Sequence, residues 1–117
     1  MGINVHVYSY WGVRTEYNKE VSDRIDEIYD MDVDPADDVA ILTDGMSGEY
    51  MVFGERLYDS GDSRWGEMIN SNEVEINQTI LDTMQTEYMQ KFKALYPDQY
   101  EWLAAKPWRL VNLVHYS

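Results

Sequence analysis

The chain has 117 residues, a net charge of −13 and no cysteine, and its length suits one domain spanning residues 1–117. Hydrophobic residues make up 44% of the chain and aromatic residues 14%. That is enough apolar material for a core, so intrinsic disorder is not expected. The lack of cysteine excludes disulfides, thiolate metal sites and cysteine nucleophiles. The acidity opposes direct binding to nucleic acid or to an anionic membrane.

The acidic residues are concentrated in the first three quarters of the chain. Residues 1–90 carry twenty acidic and five basic residues, whereas residues 91–117 carry two acidic and four basic residues. Apolar runs are too short to cross a bilayer. The opening residues lack the basic segment followed by an apolar one that marks a secretory signal. We therefore expect a cytoplasmic protein with no membrane partner.

Alternation of side chains from Ile3 to Val13 predicts the first strand. Gly12 is expected to mark a bend or the end of this strand. The second face of the strand is amphipathic, so we expect it to lie under a helix or to contact a partner. One face of the strand carries Ile3, Val5, Val7, Ser9 and Trp11, and the other carries Asn4, His6, Tyr8 and Tyr10.

Residues 18–31 are predicted to form the first helix. Asn18 is a suitable N-cap, and Glu20 lies in the first turn, where the helix dipole favours an acid. Pro35 and the dense like charge around it end the helix, so residues 32–38 are predicted to be a loop. One face of this helix is apolar and carries Val21, Ile25 and Ile28.

The rest of the chain alternates between strand and helix signals, with turn signals between them. Together the elements predict an α+β fold, a single mixed or antiparallel sheet of four to five strands with two to three helices packed mainly on one face. The predicted elements are strands at 39–43 and 49–58, a short strand or lead-in at 73–76, helices at 77–96 and 98–105, and a last strand at 108–116.

The most informative feature is a stripe of acidic residues. Ten of the twenty-two carboxylates lie between Glu16 and Asp38, and steps of three and four residues place most of them on one side of the first helix. Such like-charged neighbours repel each other by about 0.2–0.5 kcal/mol per pair. The stripe consists of Glu16, Glu20, Asp23, Glu27 and Asp30, and the predicted partner-binding set adds Asp26, Asp32, Asp34, Tyr8 and Tyr10.

The acidic stripe has two interpretations. It is either a solvated helix face that keeps the protein soluble or a surface that contacts a basic cleft. Carboxylates on successive helical turns lie about 5–6 Å apart, a spacing similar to that of nucleic acid phosphates. A helix of this kind can occupy a groove that normally binds DNA or RNA, through charge-assisted contacts and a fast, salt-sensitive association.

The alternating Asp30, Asp32 and Asp34 are similar to the first half of a calcium-binding loop. The pattern then fails, because Pro35 occupies the position that needs glycine and Ile41 the position that needs a bidentate glutamate. We therefore expect a solvated acidic loop, with no metal ion or other cofactor.

No catalytic signature is found in the sequence. His6 and His115 are the only histidines. They are predicted on the first and last strands, which can be neighbours, but two histidines alone make neither a catalytic triad nor a zinc site. There is no glycine-rich phosphate loop and no GxSxG motif, and Lys19 is the only lysine among the first ninety residues. We therefore expect no enzymatic activity.

Tyrosine and tryptophan are abundant, with ten and four copies. Both residue types are common interface anchors, and both also complete small cores. The candidates for an exposed set are Tyr8, Tyr10, Tyr17, Tyr29, Tyr50 and Tyr58.

The acidic, cysteine-free, tyrosine-rich composition resembles that of small bacteriophage accessory proteins, including anti-restriction and anti-CRISPR inhibitors. The opening Met1-Gly2-Ile3-Asn4-Val5-His6-Val7-Tyr8-Ser9-Tyr10-Trp11-Gly12-Val13 is similar in character to phage proteins of this kind. The resemblance implies a stoichiometric protein-binding inhibitor in the cytoplasm of a bacterial host, and some such inhibitors mimic nucleic acid.

Three hypotheses follow. The first is an inhibitor that binds the basic surface of a nucleic-acid-binding protein through the acidic stripe, without binding nucleic acid itself. The second is a structural or regulatory interaction module, a homodimer for example, that uses the aromatic face of the sheet. The third is a metal-dependent enzyme that uses Asp30, Asp32, Asp34 and Asp37.

Overall fold

A computed structural model of the chain describes residues 5–45, 47–61 and 73–116. The predicted order of elements is confirmed, except that the optional strand at 73–76 is an irregular lead-in to the long helix. Ile3 and Asn4, predicted to begin the first strand, lie outside the described residues. The elements are β1 (Val5–Glu16), α1 (Lys19–Asp30), β2 (Ile41–Thr43), β3 (Tyr50–Asp59), α2 (Gln78–Leu95), a 3₁₀ turn (Pro97–Gln99), α3 (Tyr100–Ala104) and β4 (Arg109–Tyr116).

The four strands form one antiparallel sheet in the order β2-β3-β1-β4. The predicted α+β class, with one sheet and three helices, is therefore confirmed. β1 is central and extends to Glu16, three residues beyond its predicted end. The interpretation of Gly12 as the end of the strand is therefore wrong.

The helices pack on one face of the sheet around an aromatic core. The ring of Phe53 on β3 lies 5.8 Å from that of Phe92 on α2 and 5.7 Å from that of Trp102 on α3, both edge to face. Val21 of α1 and Leu103 of α3 are fully buried in the same cluster. Each such side chain stabilises the fold by about 1.5–3 kcal/mol through burial. This core fixes where the outward faces of α1 and α2 point.

β1 and β3 cross unusually closely at a pair of glycines. Gly12 lies opposite Gly54, and a Cβ atom added to Gly12 would lie 1.9 Å from the carbonyl oxygen of Phe53. Gly54 has a φ of +142°, and its added Cβ would lie 2.2 Å from the carbonyl oxygen of Trp11. Only glycine fits at either position, because any larger side chain would push the two backbones apart.

The sheet curls on the face that carries no helix. Tyr50 lies opposite Glu16 and His115 lies opposite His6, so the two pairs are ten residues apart along β1, a span of about 33 Å in a regular strand. The Tyr50 hydroxyl nevertheless lies 2.7 Å from Nδ1 of His115. The sheet must therefore bend until its diagonal corners meet.

The curl encloses a second group of buried side chains, which we call the inner cluster. It consists of Tyr8, Tyr10 and Val52, with partly buried residues from β2, β3 and β4 around them. Tyr8 is 7% exposed and Tyr10 is 4% exposed. The expectation that these two tyrosines belong to an exposed set is therefore wrong, whereas their role in partner binding stays a prediction. The second face of β1 is covered by the curled sheet itself rather than by a helix.

The glycine crossing can be tested by adding one methyl group. Gly12→Ala places a Cβ against the backbone of β3, and we expect a loss of about 3 kcal/mol or more in the free energy of unfolding. Gly45→Ala is the matched control, because no atom lies within 4 Å of its added Cβ, and its change should stay within about 0.5 kcal/mol. Equal melting temperatures for the two variants would contradict the close crossing.

Candidate functional site

The acidic surface is positioned by the anchoring of α1. The Asn18 side chain accepts a hydrogen bond from the backbone N–H of Val21 at 3.1 Å, as predicted for an N-cap. Val21 and Ile28 are buried, which confirms the apolar face. Arg24 donates from Nε to the carbonyl oxygen of Leu95 at 2.9 Å, and this bond ties the middle of α1 to the C-terminal end of α2.

The carboxylates of α1 point away from that core, and both bases of the helix are paired with neighbours on the same helix. Lys19 contacts Asp23 at 2.9 Å, and Arg24 contacts Glu27 at 2.9 Å. In the described part of the chain, the other three carboxylates of α1 form no ion pair. We define the acidic face as the exposed residues Glu16, Glu20, Asp23, Asp26, Glu27, Asp30, Asp32 and Asp34.

Two details of the acidic face differ from the sequence prediction. Glu16 is the last residue of β1, opposite Tyr50, so the stripe begins on the sheet rather than on the helix. Tyr29 was not in the predicted binding set, yet it is 86% exposed between Asp26 and Asp30. A large aromatic residue this exposed on a helix contributes little to the core, and it is a typical interface anchor.

A hollow of about 480 Å³ opens beside the acidic face, between α1 and the segment that leads into β2. Asp32, with a φ of 55°, turns the chain here. Oδ1 of Asp34 accepts a hydrogen bond from the backbone N–H of Ala36 at 2.9 Å. The hollow has an apolar floor and an acidic and aromatic rim, and its lining includes Ile25, Ile28, Val33, Tyr29, Asp32 and Asp38.

The aspartates of this loop do not converge on one point. Among the described residues, no group of three or more histidine, aspartate or glutamate side chains is arranged to bind a metal ion. Asp34 is instead used by its own turn, through the bond to Ala36. The described carboxylates of this loop are therefore spread apart rather than convergent.

The two histidines are cross-strand neighbours, as the sequence allowed, with His6 opposite His115. His6 Nδ1 lies 2.9 Å from Oδ1 of Asp59. A bulge in β3 makes this contact possible, because the register shifts between Ser9, which lies opposite Tyr58, and Tyr10, which lies opposite Arg56. The shift reverses the alternation of β3, so that Asp59 lies opposite Tyr8 and faces the histidines.

The electrostatics of this cluster favour a closed curl at neutral pH. Burial lowers the pKa of His115, and the nearby His6 lowers it further, although Asp44 opposes both effects. Burial raises the pKa of Tyr50, so its hydroxyl stays protonated at neutral pH, and it shares a hydrogen bond with Nδ1 of His115. Burial would raise the pKa of Asp59, but hydrogen bonds from His6 and from the Gly61 N–H outweigh it and lower that pKa.

The remaining candidate tyrosines divide by location. Tyr17 is 38% exposed and its hydroxyl donates to Ser22 on α1 at 2.8 Å, whereas Tyr50 and Tyr58 are half-buried. Of the six predicted candidates, Tyr29 is therefore the one that projects into solvent from the acidic face.

Comparison of the chain with known protein families, with curated proteins and with solved structures finds no match. No helix in the described ranges is long and apolar enough to cross a membrane. The interpretation of the site therefore depends on its own residues.

The histidine cluster predicts a pH-dependent stability. Because the pKa of folded His115 lies below its usual value of 6.5, the native state binds fewer protons than the unfolded state. The stability is therefore complete above pH 6.5 and decreases as the pH falls below it. The melting temperature should fall between about pH 7 and about pH 5, and His115→Gln should reduce that fall. An unchanged slope in this variant would contradict the assignment.

The acidic loop predicts weak, nonspecific attraction of divalent cations. Titration calorimetry with Ca²⁺ or Mg²⁺ should give heats that disappear as salt is added, because screening removes unspecific counterion attraction. A saturable one-to-one isotherm that Asp32→Asn abolishes would instead indicate a true metal site and would support the metal-dependent hypothesis.

Proposed function

We propose that this chain is a protein-binding inhibitor whose acidic face contacts the basic surface of a nucleic-acid-binding protein and excludes nucleic acid from it. The observation that carries the proposal is the outward row of carboxylates on α1. Its two bases are already paired with Asp23 and Glu27, so the segment 16–38, with ten acids against two bases, retains a net charge of −8.

The hollow beside α1 supports a cationic partner. Lysine and arginine have an aliphatic stem and a charged tip. The apolar floor of the hollow, which includes Ile25 and Val33, matches the aliphatic stem. The carboxylates of Asp32 and Asp38 at the rim match the charged tip. The exposed ring of Tyr29 adds a surface on which the planar guanidinium group of an arginine can stack. One basic side chain of the partner would enter here while the carboxylates of α1 contact its neighbours.

The same charge distribution favours fast, salt-sensitive association. A net charge of −13 produces a field that steers a basic protein toward this chain, and screening weakens that field beyond about 8 Å at physiological salt. The resemblance of the composition and the opening residues to phage counter-defence proteins supports the same class of activity, a stoichiometric inhibitor that needs no catalytic residue.

The homodimeric alternative required an aromatic surface on the sheet. Tyr8 and Tyr10 lie on one face of the sheet, and both are enclosed in the inner cluster. Leu110, Val114 and Tyr116 of the edge strand β4 are exposed, so this alternative would have to use that strand rather than the enclosed tyrosines.

Charge reversal on the acidic face tests the proposal. Glu20→Lys with Asp26→Lys should leave the fold intact, because both side chains are exposed and neither forms an ion pair within the described ranges. Surface changes of this kind usually stay within about 0.5 kcal/mol. The immobilised parent chain should capture nucleic-acid-binding proteins from a bacterial lysate, and added DNA should compete with their capture.

The matched control is Glu87→Lys with Glu101→Lys, which changes the net charge equally at exposed positions on α2 and α3. We expect the Glu20 and Asp26 variant to lose capture and the control to keep most of it. Equal capture by both variants, or capture that does not weaken with salt, would contradict a role for the acidic face.

A further inference from the structure

A second surface of the opposite charge lies where β4 begins. β4 starts with Arg109 opposite Gly12, whereas β1 continues to Glu16. Residues 13–16 of β1 are therefore paired with β3 on one side and, within the described residues, with no strand on the other. Trp108 is held on the helix side of the sheet by ring contacts with Trp11 at 5.9 Å and Tyr88 at 5.6 Å, which leaves a notch in line with β4.

The notch forms an open groove of about 530 Å³. Its lining contains three cationic residues, Arg14, Lys106 and Arg109, and no acidic residue. The whole chain has only nine basic residues against twenty-two acidic ones, so a third of its cations surround one groove. A groove lined by basic residues alone is the opposite of what the acidic composition of the chain would lead one to expect.

Among the described residues, no carboxylate forms an ion pair with Arg14, Lys106 or Arg109. The positive charge of these three residues is therefore not neutralised by a neighbouring acid. The Arg14 guanidinium lies 5.0 Å from the ring centroid of Tyr50, and Nζ of Lys106 lies 5.1 Å from that of Trp102. An aromatic face orients a cation without cancelling its charge. Positive charge at the groove is therefore held in place and remains available to an anion.

The alternation of the flanking strands separates the groove into a charged and an apolar side. Arg14 and Arg109 lie on the helix-free face of the sheet, because they share the face of Gly12 and Val52 in the register. Val13 and Leu110 lie on the opposite face. An extended strand placed between them would match both sides if its acidic and apolar residues alternated.

We propose that this groove binds an extended acidic peptide segment of a partner protein, which adds as a short strand beside residues 13–15 of β1 and stops short of Glu16. Backbone hydrogen bonds to the open strand edge would supply part of the affinity, as in other cases of strand addition. Carboxylates on alternate residues would contact Arg14 and Arg109 on the helix-free face, and Lys106, held over Trp102 on the helix side, would add electrostatic attraction. The groove is separate from the acidic face, so this inference does not depend on the proposed inhibitor function.

The probe for this site is a capped six-residue peptide of alternating valine and glutamate. Titrated into the ¹⁵N-labelled full chain at physiological salt, it should shift the amide resonances of residues 13–15 and of Arg109. Two comparison peptides replace glutamate by lysine or methylate alternate backbone nitrogens. We expect neither to bind, because the first has the wrong charge and the second cannot pair as a strand.

Variants identify the cations responsible. Arg14→Gln with Lys106→Gln and Arg109→Gln should weaken binding of the glutamate peptide at least tenfold. The control, Lys19→Gln with Lys91→Gln and Lys93→Gln, changes the net charge equally and should bind as the parent does. If the triple groove variant does not fold, Arg109→Gln alone serves, because its side chain is exposed, and it should weaken binding at least threefold.

Five results would overturn the proposal. Four of them are unchanged affinity of the groove variants, equal binding of the lysine peptide, equal binding of the N-methylated peptide, and resonance shifts that map outside the groove. Displacement of the peptide by millimolar inorganic phosphate would also overturn it, in favour of a small-anion site. The Glu20→Lys, Asp26→Lys variant should keep peptide binding, so failure of the acidic-face proposal and failure of this one are distinguishable.

Discussion

The close crossing of β1 and β3 at Gly12 and Gly54 is the constraint on which the rest of the structure depends. With no side chain between them, the two backbones approach to a distance at which an added Cβ would collide with a carbonyl oxygen. The sheet bends around this crossing until Tyr50 reaches His115. One face of the sheet is then free to carry the helices, and the other closes on its own tyrosines, so a small chain obtains two cores.

The acidic face and the three cations of the groove are kept apart in the fold. α1 is anchored on the helix side and presents carboxylates outward, while cations from β1, β4 and the turn before β4 surround a single groove. Ion pairs between the carboxylates of α1 and the cations of the groove would have neutralised the charge of both surfaces. Their separation gives one small domain two surfaces of opposite sign, and at physiological salt each surface acts over only about 8 Å.

Much of the fold could be predicted from the sequence because its signals are local. The Asn18 cap, the apolar row of Val21 and Ile28, and the break at Pro35 each depend on neighbouring residues, and the structure has all of them. The α+β class followed from the order of these elements. The exposed carboxylates of α1 could be predicted for the same reason, because helical spacing separates the outward and inward faces.

The remaining features depend on contacts between distant residues. Strand alternation assigns Tyr8 and Tyr10 to one face, but it does not indicate whether that face is flat or curled, and their burial was missed for that reason. The bulge at Leu57, which aims Asp59 at His6, has no compositional signal. The basic groove was missed because Arg14 lies far in sequence from Lys106 and Arg109, and only the β1–β4 register brings them together.

That register also determines the order in which the chain can fold. The β2–β3 hairpin joins residues close in sequence, whereas β1 pairs with β4 across more than a hundred residues, as in the Ser9–Asn112 contact. Contacts between residues so far apart in sequence form slowly, because closing a long loop costs entropy before any contact stabilises it. During synthesis, β1 must therefore wait for β4 with its tyrosines uncovered. Val111 and Leu113 of β4 pack against the inner cluster, so Tyr8 and Tyr10 are fully enclosed only once β4 has paired. Until then they are apolar surface to which a chaperone or an aggregating neighbour could bind.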